Sequence, residues 1–159
     1  PELGHLTVVP GGRPCACGKR GCWERYCSGT ALAETARELM AGGDAPILRQ
    51  LSGADPAALT GTMVAIAATE GDPVALAAMD ELGRWLAQGL ALVTDVLDPE
   101  VIVVGGGVAS AAGMFLPLAV SEFAGLITGA GHRPVPRVEL ARFGDRAGII
   151  GAALLAAAR

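Results

Sequence analysis

The sequence predicts an α/β domain, and three stretches carry that prediction. The first is a long apolar stripe over residues 73–97, opened by Asp72-Pro73 and stopped by Asp98-Pro99. The second is the β-branched run Val101-Ile102-Val103-Val104, which discharges directly into Gly105-Gly106-Gly107. The third is the alternating segment Arg137–Arg142, which a Gly144-Asp145 turn leads into a last apolar helix at 146–157. Helix, strand, glycine turn, helix, strand and helix in that order imply helices packed on a sheet.

Composition agrees. The chain has 159 residues, 52% of them hydrophobic and 18% charged, enough for one domain with a real core. The net charge is −4 with no lysine/arginine block, so there is no electrostatic footprint for nucleic acid. No apolar run reads as a membrane span free of polar or glycine interruption, and no signal peptide stands at the start. Outside its cysteine cluster the chain reads as an ordinary cytoplasmic domain. It opens on Pro1, without an initiator methionine, directly at its densest motif. That start suggests one half of a longer protein.

Taken in order, Leu6–Val9 suits a short strand, broken by Pro10-Gly11-Gly12-Arg13-Pro14. Ser28 or Thr30 can cap a helix over 31–40. Residues 45–58, with Pro46 and Asp55-Pro56, read as an irregular excursion holding a turn of helix. Thr60 or Thr62 can open a short helix to Glu70, and Gly71 closes it. Asp72 then caps the long helix, with Pro73 at its first position. Met79, Leu82, Leu86, Leu90, Val93 and Leu97 recur at three- and four-residue steps, the signature of a core helix, and Asp80 with Arg84 forms a possible pair on its polar side. A continuous run such as Val101–Val104 suits a strand buried on both faces. The helix over 112–126 is expected to be interrupted at Pro117, and residues 129–136 form a loop.

The chemistry is concentrated near the start. His5, Cys15, Cys17 and Cys22 supply one imidazole and three thiols in a C-x-C-x4-C arrangement. That is a common structural zinc set. Gly18 and Gly21 let the loop turn tightly enough to return Cys22 to the metal. A redox disulfide and an accidental cluster are the alternatives. Four protein ligands leave no open position, so such a metal holds a loop rather than doing chemistry. Cys27 falls outside the set and reads as a buried free thiol. Glu2 and Glu24 flank the ligands. A carboxylate pair fixed by the loop could span a polyol and accept from its hydroxyls; equally, Glu24 could cap a helix and Glu2 be solvated. Gly105-Gly106-Gly107 after a strand lets backbone approach a phosphate. It is neither G-x-G-x-x-G nor a P-loop, and a plain turn is the competing reading.

Taken together, Glu2-Leu3-Gly4-His5, Cys15-x-Cys17-Gly18-x-x-Gly21-Cys22-Trp23-Glu24 and Ser28-Gly29 resemble the repressor/open-reading-frame/kinase (ROK) family, its bacterial glucokinases in particular. Leu97–Gly107 and Gly144–Ala153 are similar to the C-terminal half of the same proteins. The resemblance implies an actin-like ATPase (ribonuclease H-like) lobe, with helices on a mixed sheet and a zinc-bearing loop. It implies that residues 1–159 are the C-terminal sugar- and nucleotide-binding lobe of a two-lobe kinase. The reaction implied is transfer of the γ-phosphoryl group of ATP, with magnesium, to the 6-hydroxyl of glucose. It assigns Glu2, His5 and Glu24 to the sugar, Gly105–Gly107 to the nucleotide, and His5, Cys15, Cys17 and Cys22 to structural zinc. His5 then serves both metal and sugar.

The family's N-terminal D-x-G-G-T motif and the aspartate base of its N-D segment do not occur here. Asp95 and Asp98 sit in the wrong context, at the end of the long helix. No catalytic residue is therefore expected in this chain, and the isolated chain is expected to be inactive. Pro1 stands where the family has a small residue. Without a first lobe, Ile149, Ile150, Leu154 and Leu155 lose cover, and a homo-oligomer is expected. Two other readings stand: a sugar-sensing domain of a ROK repressor, which would bind DNA through an upstream helix-turn-helix, and a kinase for another hexose. Trp23, where repressors more often have leucine, leans towards kinase.

Overall fold

A computed structural model of the chain describes residues 2–53 and 55–158. The departure expected at Pro1 lies outside them. Among these residues six helices and two strands follow in the order α1 (Gly29–Met40), α2 (Pro46–Leu51), α3 (Gly61–Thr69), α4 (Pro73–Leu97), β1 (Val101–Val104), α5 (Ala112–Leu126), β2 (Arg137–Leu140) and α6 (Ala147–Ala157), with short 3-10 turns between. β1 and β2 pair in parallel, Val101 with Arg137 through Val104 with Leu140. Parallel neighbours need a long crossover, and α5 supplies it. Among the described residues the sheet is this parallel pair.

The helices begin where local chemistry starts them. Ser28, Thr60 and Asp72 each accept a backbone N–H from the first turn of α1, α3 and α4, satisfying donors that have no partner inside a helix. α4 ends at Asp98, whose left-handed conformation (φ 45°) closes the last turn, a geometry aspartate tolerates better than most residues. α4 is the central element. Its buried face, including Met79, Leu82, Leu86 and Leu90, meets Leu32, Val64, Phe115 and Phe123 from α1, α3 and α5 in one core. α5 comes close because Gly83 has no side chain; a Cβ there would lie 2.8 Å from the Phe115 carbonyl oxygen.

Several expectations change. Leu6–Val9 is not a strand: only Thr7 bridges, antiparallel, to Cys22. The N–H groups of Val8 and Val9 both turn to the Gly21 carbonyl, at 2.8 and 3.1 Å, and two successive donors on one acceptor cannot extend a ladder. β1 is not buried on both faces. Ile102 packs on the core, but Val103 is 62% exposed because none of the described residues covers that side of the two-stranded sheet. The α4 stripe fades at its end, where Leu97 is exposed. Arg84 pairs with Glu81 and Glu122, not Asp80.

Pro117 does not interrupt α5. Both Pro117 and Gly113, the residue whose carbonyl loses its i+4 donor, are exposed, so water can take the place of the lost bond. By length and mean hydropathy (1.4) the stretch Gly107–Leu126 could cross a membrane. Here it lies along α4 with Phe115, Ala119 and Phe123 buried. On α6, Ile149, Leu154 and Leu155 are exposed as expected, while Ile150 is half-buried.

Candidate functional site

Residues 5–22 wind back on themselves. Pro14 bridges Arg20, the Cys15 N–H donates to the Lys19 carbonyl, and Gly21 N–H donates to Arg13. Gly21 is indispensable to this turn. Its φ is +77°, and a Cβ would fall 1.6 Å from the Val9 carbonyl oxygen. Gly18 also takes a positive φ (+89°). The loop gathers one ligand atom from each of His5, Cys15, Cys17 and Cys22 within 4.8 Å of one another.

The donor set fits a tetrahedral metal. Zinc–sulfur and zinc–nitrogen bonds of the usual lengths put sulfurs about 3.8 Å apart and sulfur and nitrogen about 3.5 Å apart. Here Cys17 Sγ lies 3.5 Å from Cys22 Sγ, and Cys15 Sγ lies 3.6 Å from His5 Nδ1. The thiols differ. The Cys17 backbone N–H pulls the Cys15 thiol down. The Glu24 carboxylate, burial and the neighbouring sulfurs outweigh it, and the thiol is pushed up to about 12. The Lys19 N–H, helped by that residue's ammonium charge, holds Cys17 below its ordinary value against its desolvation. Cys27 stands apart, packed against the core, and burial raises it to about 12.

Glu24 does not cap a helix; Ser28 does that. Glu24 Oε1 accepts from Cys15 Sγ at 3.0 Å and lies 3.5 Å from His5 Nδ1. The His5 and Glu24 side chains remain 30% and 41% exposed, so a ligand can reach both from solvent. With Nδ1 turned to the sulfurs, His5 Nε2 makes no hydrogen bond among the described residues. Glu2 is exposed on the same turn, its carbonyl accepting the His5 N–H.

Gly105–Gly107 line a cleft of about 490 Å³ together with Leu3 and Trp23 and with Leu82, Leu86 and Leu90 of α4; Glu2, His5 and Glu24 adjoin Leu3 and Trp23 in sequence and are not themselves among its lining residues. Gly106 has φ 102° and ψ −179°, a conformation open to glycine. A second groove of about 380 Å³ continues past Gly107 to Gly29, Thr30, Gly61 and Thr62. The N-termini of α1 and α3 meet there, with a Gly61 Cβ only 2.5 Å from the Gly29 carbonyl. The sequence reading missed this convergence, although the Ser28 and Thr60 caps and their following glycines were the available signal. Asp95 and Asp98 are both engaged elsewhere. Asp95 accepts from the Thr128 N–H and hydroxyl at 2.8 and 2.9 Å, and Asp98 pairs with Arg133.

The family model described as "ROK family" matches residues 1–159. The chain belongs to the ROK family. It is 37% identical to the glucokinase of Streptomyces coelicolor over 98% of its own length and 50% of that protein's. A crystal structure of a ROK family glucokinase from Streptomyces griseus, in complex with glucose and AMPPNP, superposes with a TM-score of 0.89 at 38% identity, over 97% of this chain and 50% of that one. A ROK family transcriptional regulator, homologous to the E. coli MLC protein, gives 0.75 at 28% identity, over 96% and 37%. This ROK chain therefore has the fold of the sugar kinases' actin-like ATPase lobe, and it spans about half the length of the curated relatives it matches.

Proposed function

We propose that residues 1–159 are the C-terminal lobe of a two-lobe, ATP-dependent glucokinase. The observation that carries this reading is the shared cleft: Leu3 and Trp23, the sequence neighbours of Glu2 and Glu24, line it together with Gly105–Gly107. Glu2 and Glu24 accept hydroxyl protons of the hexose, and His5 presents Nε2 to the sugar while Nδ1 faces the thiols. His5, Cys15, Cys17 and Cys22 would hold zinc, which when bound fixes the loop and so the spacing of these sugar contacts. Gly105–Gly107 and the two helix N-termini beyond them suit the nucleotide, whose phosphates favour such ends and bring magnesium with them. The base that accepts the proton of the attacking hydroxyl belongs to the other lobe, since Asp95 and Asp98 are engaged away from the cleft.

Calorimetry of the zinc-loaded chain tests this reading. Glucose is expected to bind weakly, and Glu24→Gln to weaken it about tenfold or more, as loss of a charge-assisted bond predicts. No ATP-dependent glucose 6-phosphate is expected from the chain alone. Absence of glucose binding would remove the sugar assignment, and turnover by the chain alone would remove the division of labour between lobes. Another hexose that binds in place of glucose would change the substrate and leave the kinase reading standing.

The exposed Ile149, Leu154 and Leu155 of α6 support a second expectation, that the chain self-associates. Light scattering across a concentration series should show a mass rising above 16.0 kDa. A constant monomer mass would count against it.

A further inference from the structure

We propose that Trp23 is a positioning residue that fastens the metal loop to α4, with Gly89 as its socket, and that this fastening sets how tightly the loop holds zinc. The inference rests on the zinc reading above and extends it to residues that are not ligands.

Trp23 directly follows Cys22, which is fully buried. Its indole N–H donates to the main-chain carbonyl of Trp85 at 2.8 Å, 62 residues away in sequence. That carbonyl lies inside α4, where the residue at i+4 is Gly89. Residues i and i+4 stack on one helix face, so any side chain at 89 would cover the carbonyl at 85. A Cβ on Gly89 would lie 1.9 Å from both Cε2 and Cζ2 of Trp23 and 2.5 Å from Cη2. The indole is rigid and has no flexible end to move aside. Glycine weakens a helix interior; at this position it admits the ring and uncovers the acceptor.

The same helix residue is gripped twice. The Tyr26 ring packs on the Trp85 ring at 4.6 Å between centroids, inclined by 39°. The Tyr26 hydroxyl in turn accepts the Arg13 N–H at 2.8 Å, and the Arg13 guanidinium lies 5.0 Å from the Tyr26 ring centre. Trp23 takes the carbonyl of residue 85 and Tyr26 takes its side chain. Between them the Cys22–Tyr26 turn, including Glu24, is fixed to the core rather than carried by the metal alone. Groups that orient metal ligands in this way set metal affinity without touching the ion.

The test measures zinc affinity of the full 159-residue chain by chelator competition, with the visible spectrum of its cobalt(II) form as a reporter of ligand geometry. Gly89→Ala is expected to lower zinc affinity about 10- to 100-fold and to alter the cobalt spectrum. Trp23→Phe, which keeps a ring and lacks the N–H, should fall between Gly89→Ala and the parent chain. Gly83→Ala is the control, because it forces a Cβ against Phe115 on another face of the same helix; it should lower the melting temperature and leave zinc affinity unchanged. If Gly89→Ala does not fold, Trp23→Phe decides. Unchanged zinc affinity in the folded variants would overturn the proposal, as would an equal loss in Gly83→Ala. A parent chain that binds less than about half an equivalent would overturn the zinc reading itself, and the parent arm alone reveals that.

Discussion

Replacing Cys22 with serine is expected to reduce the zinc carried by the purified chain to below about a tenth of an equivalent, because a structural site loses its closed tetrahedron with one ligand. Of the four proposed ligands, Cys22 has the least freedom to be substituted. It is wholly buried, bridges Thr7, and its sulfur lies 3.5 Å from that of Cys17. The loop meets the helices through Trp23, Tyr26 and Arg13, whereas the buried core itself is shared by α1, α3, α4 and α5. The expected outcome is therefore local: zinc and glucose binding lost together, helical circular dichroism nearly unchanged. Metal analysis after gel filtration would check it, and a full equivalent of zinc in the variant would refute the ligand set. Acid acts in the same direction. The Cys15 thiol is pushed up to about 12 in the metal-free chain, so it is protonated near neutrality and must give up its proton to bind. Zinc uptake should release protons to the buffer, and affinity should fall as the pH is lowered.

Asp72→Ala is expected to destabilise the domain by about 3 to 4 kcal/mol, the sum of two lost helix caps and stranded buried donors. The carboxylate is completely buried, and both oxygens are used twice. Oδ1 accepts from Val74 and Ala75 at 3.0 Å, the first turn of α4. Oδ2 accepts from Ile47 and Leu48 at 3.0 and 3.1 Å, the first turn of α2. α2 has no cap from its own preceding residue, Ala45. One side chain thus closes two helix ends, and the partial positive charge of both offsets its burial. Thermal unfolding should shift down by on the order of 10 °C for a domain of this size. Asp72→Asn keeps one acceptor oxygen and should fall between. A shift of only a degree or two in the alanine variant would mean that water or a neighbour replaces the carboxylate.

These two sites show what was legible from residues alone. The Asp72-Pro73 start of α4 and its Asp98-Pro99 stop were readable because capping and termination are written in adjacent residues. The cluster of His5, Cys15, Cys17 and Cys22 was readable because residue type and loop spacing nearly suffice to bring such groups together. The second half of Asp72's work was not readable. Its donors at 47 and 48 are some 25 residues back, in a stretch whose prolines suggested only an irregular excursion. Leu6–Val9 had strand composition, but strand formation needs a partner, and the nearest one was the curling metal loop. Val103 looked buried because its run was continuous; exposure depends on what lies over the sheet.

The sequence by itself determined most of the helices with the Ser28, Thr60 and Asp72 caps, the clustering of His5 with Cys15, Cys17 and Cys22, the glycine turn after β1 and membership of the ROK family. Each is a property of neighbouring residues or of a motif whose spacing implies its geometry. Only the tertiary structure decided that Glu24 leans on Cys15 and His5, and that Trp23 reaches α4 at Gly89, where the missing side chain leaves room for it. It also decided that Leu3 and Trp23, beside the proposed sugar contacts, line one cleft with the Gly105–Gly107 turn. These are contacts between segments tens of residues apart. Periodicity says which face of a helix is buried, and says nothing of what is pressed against it.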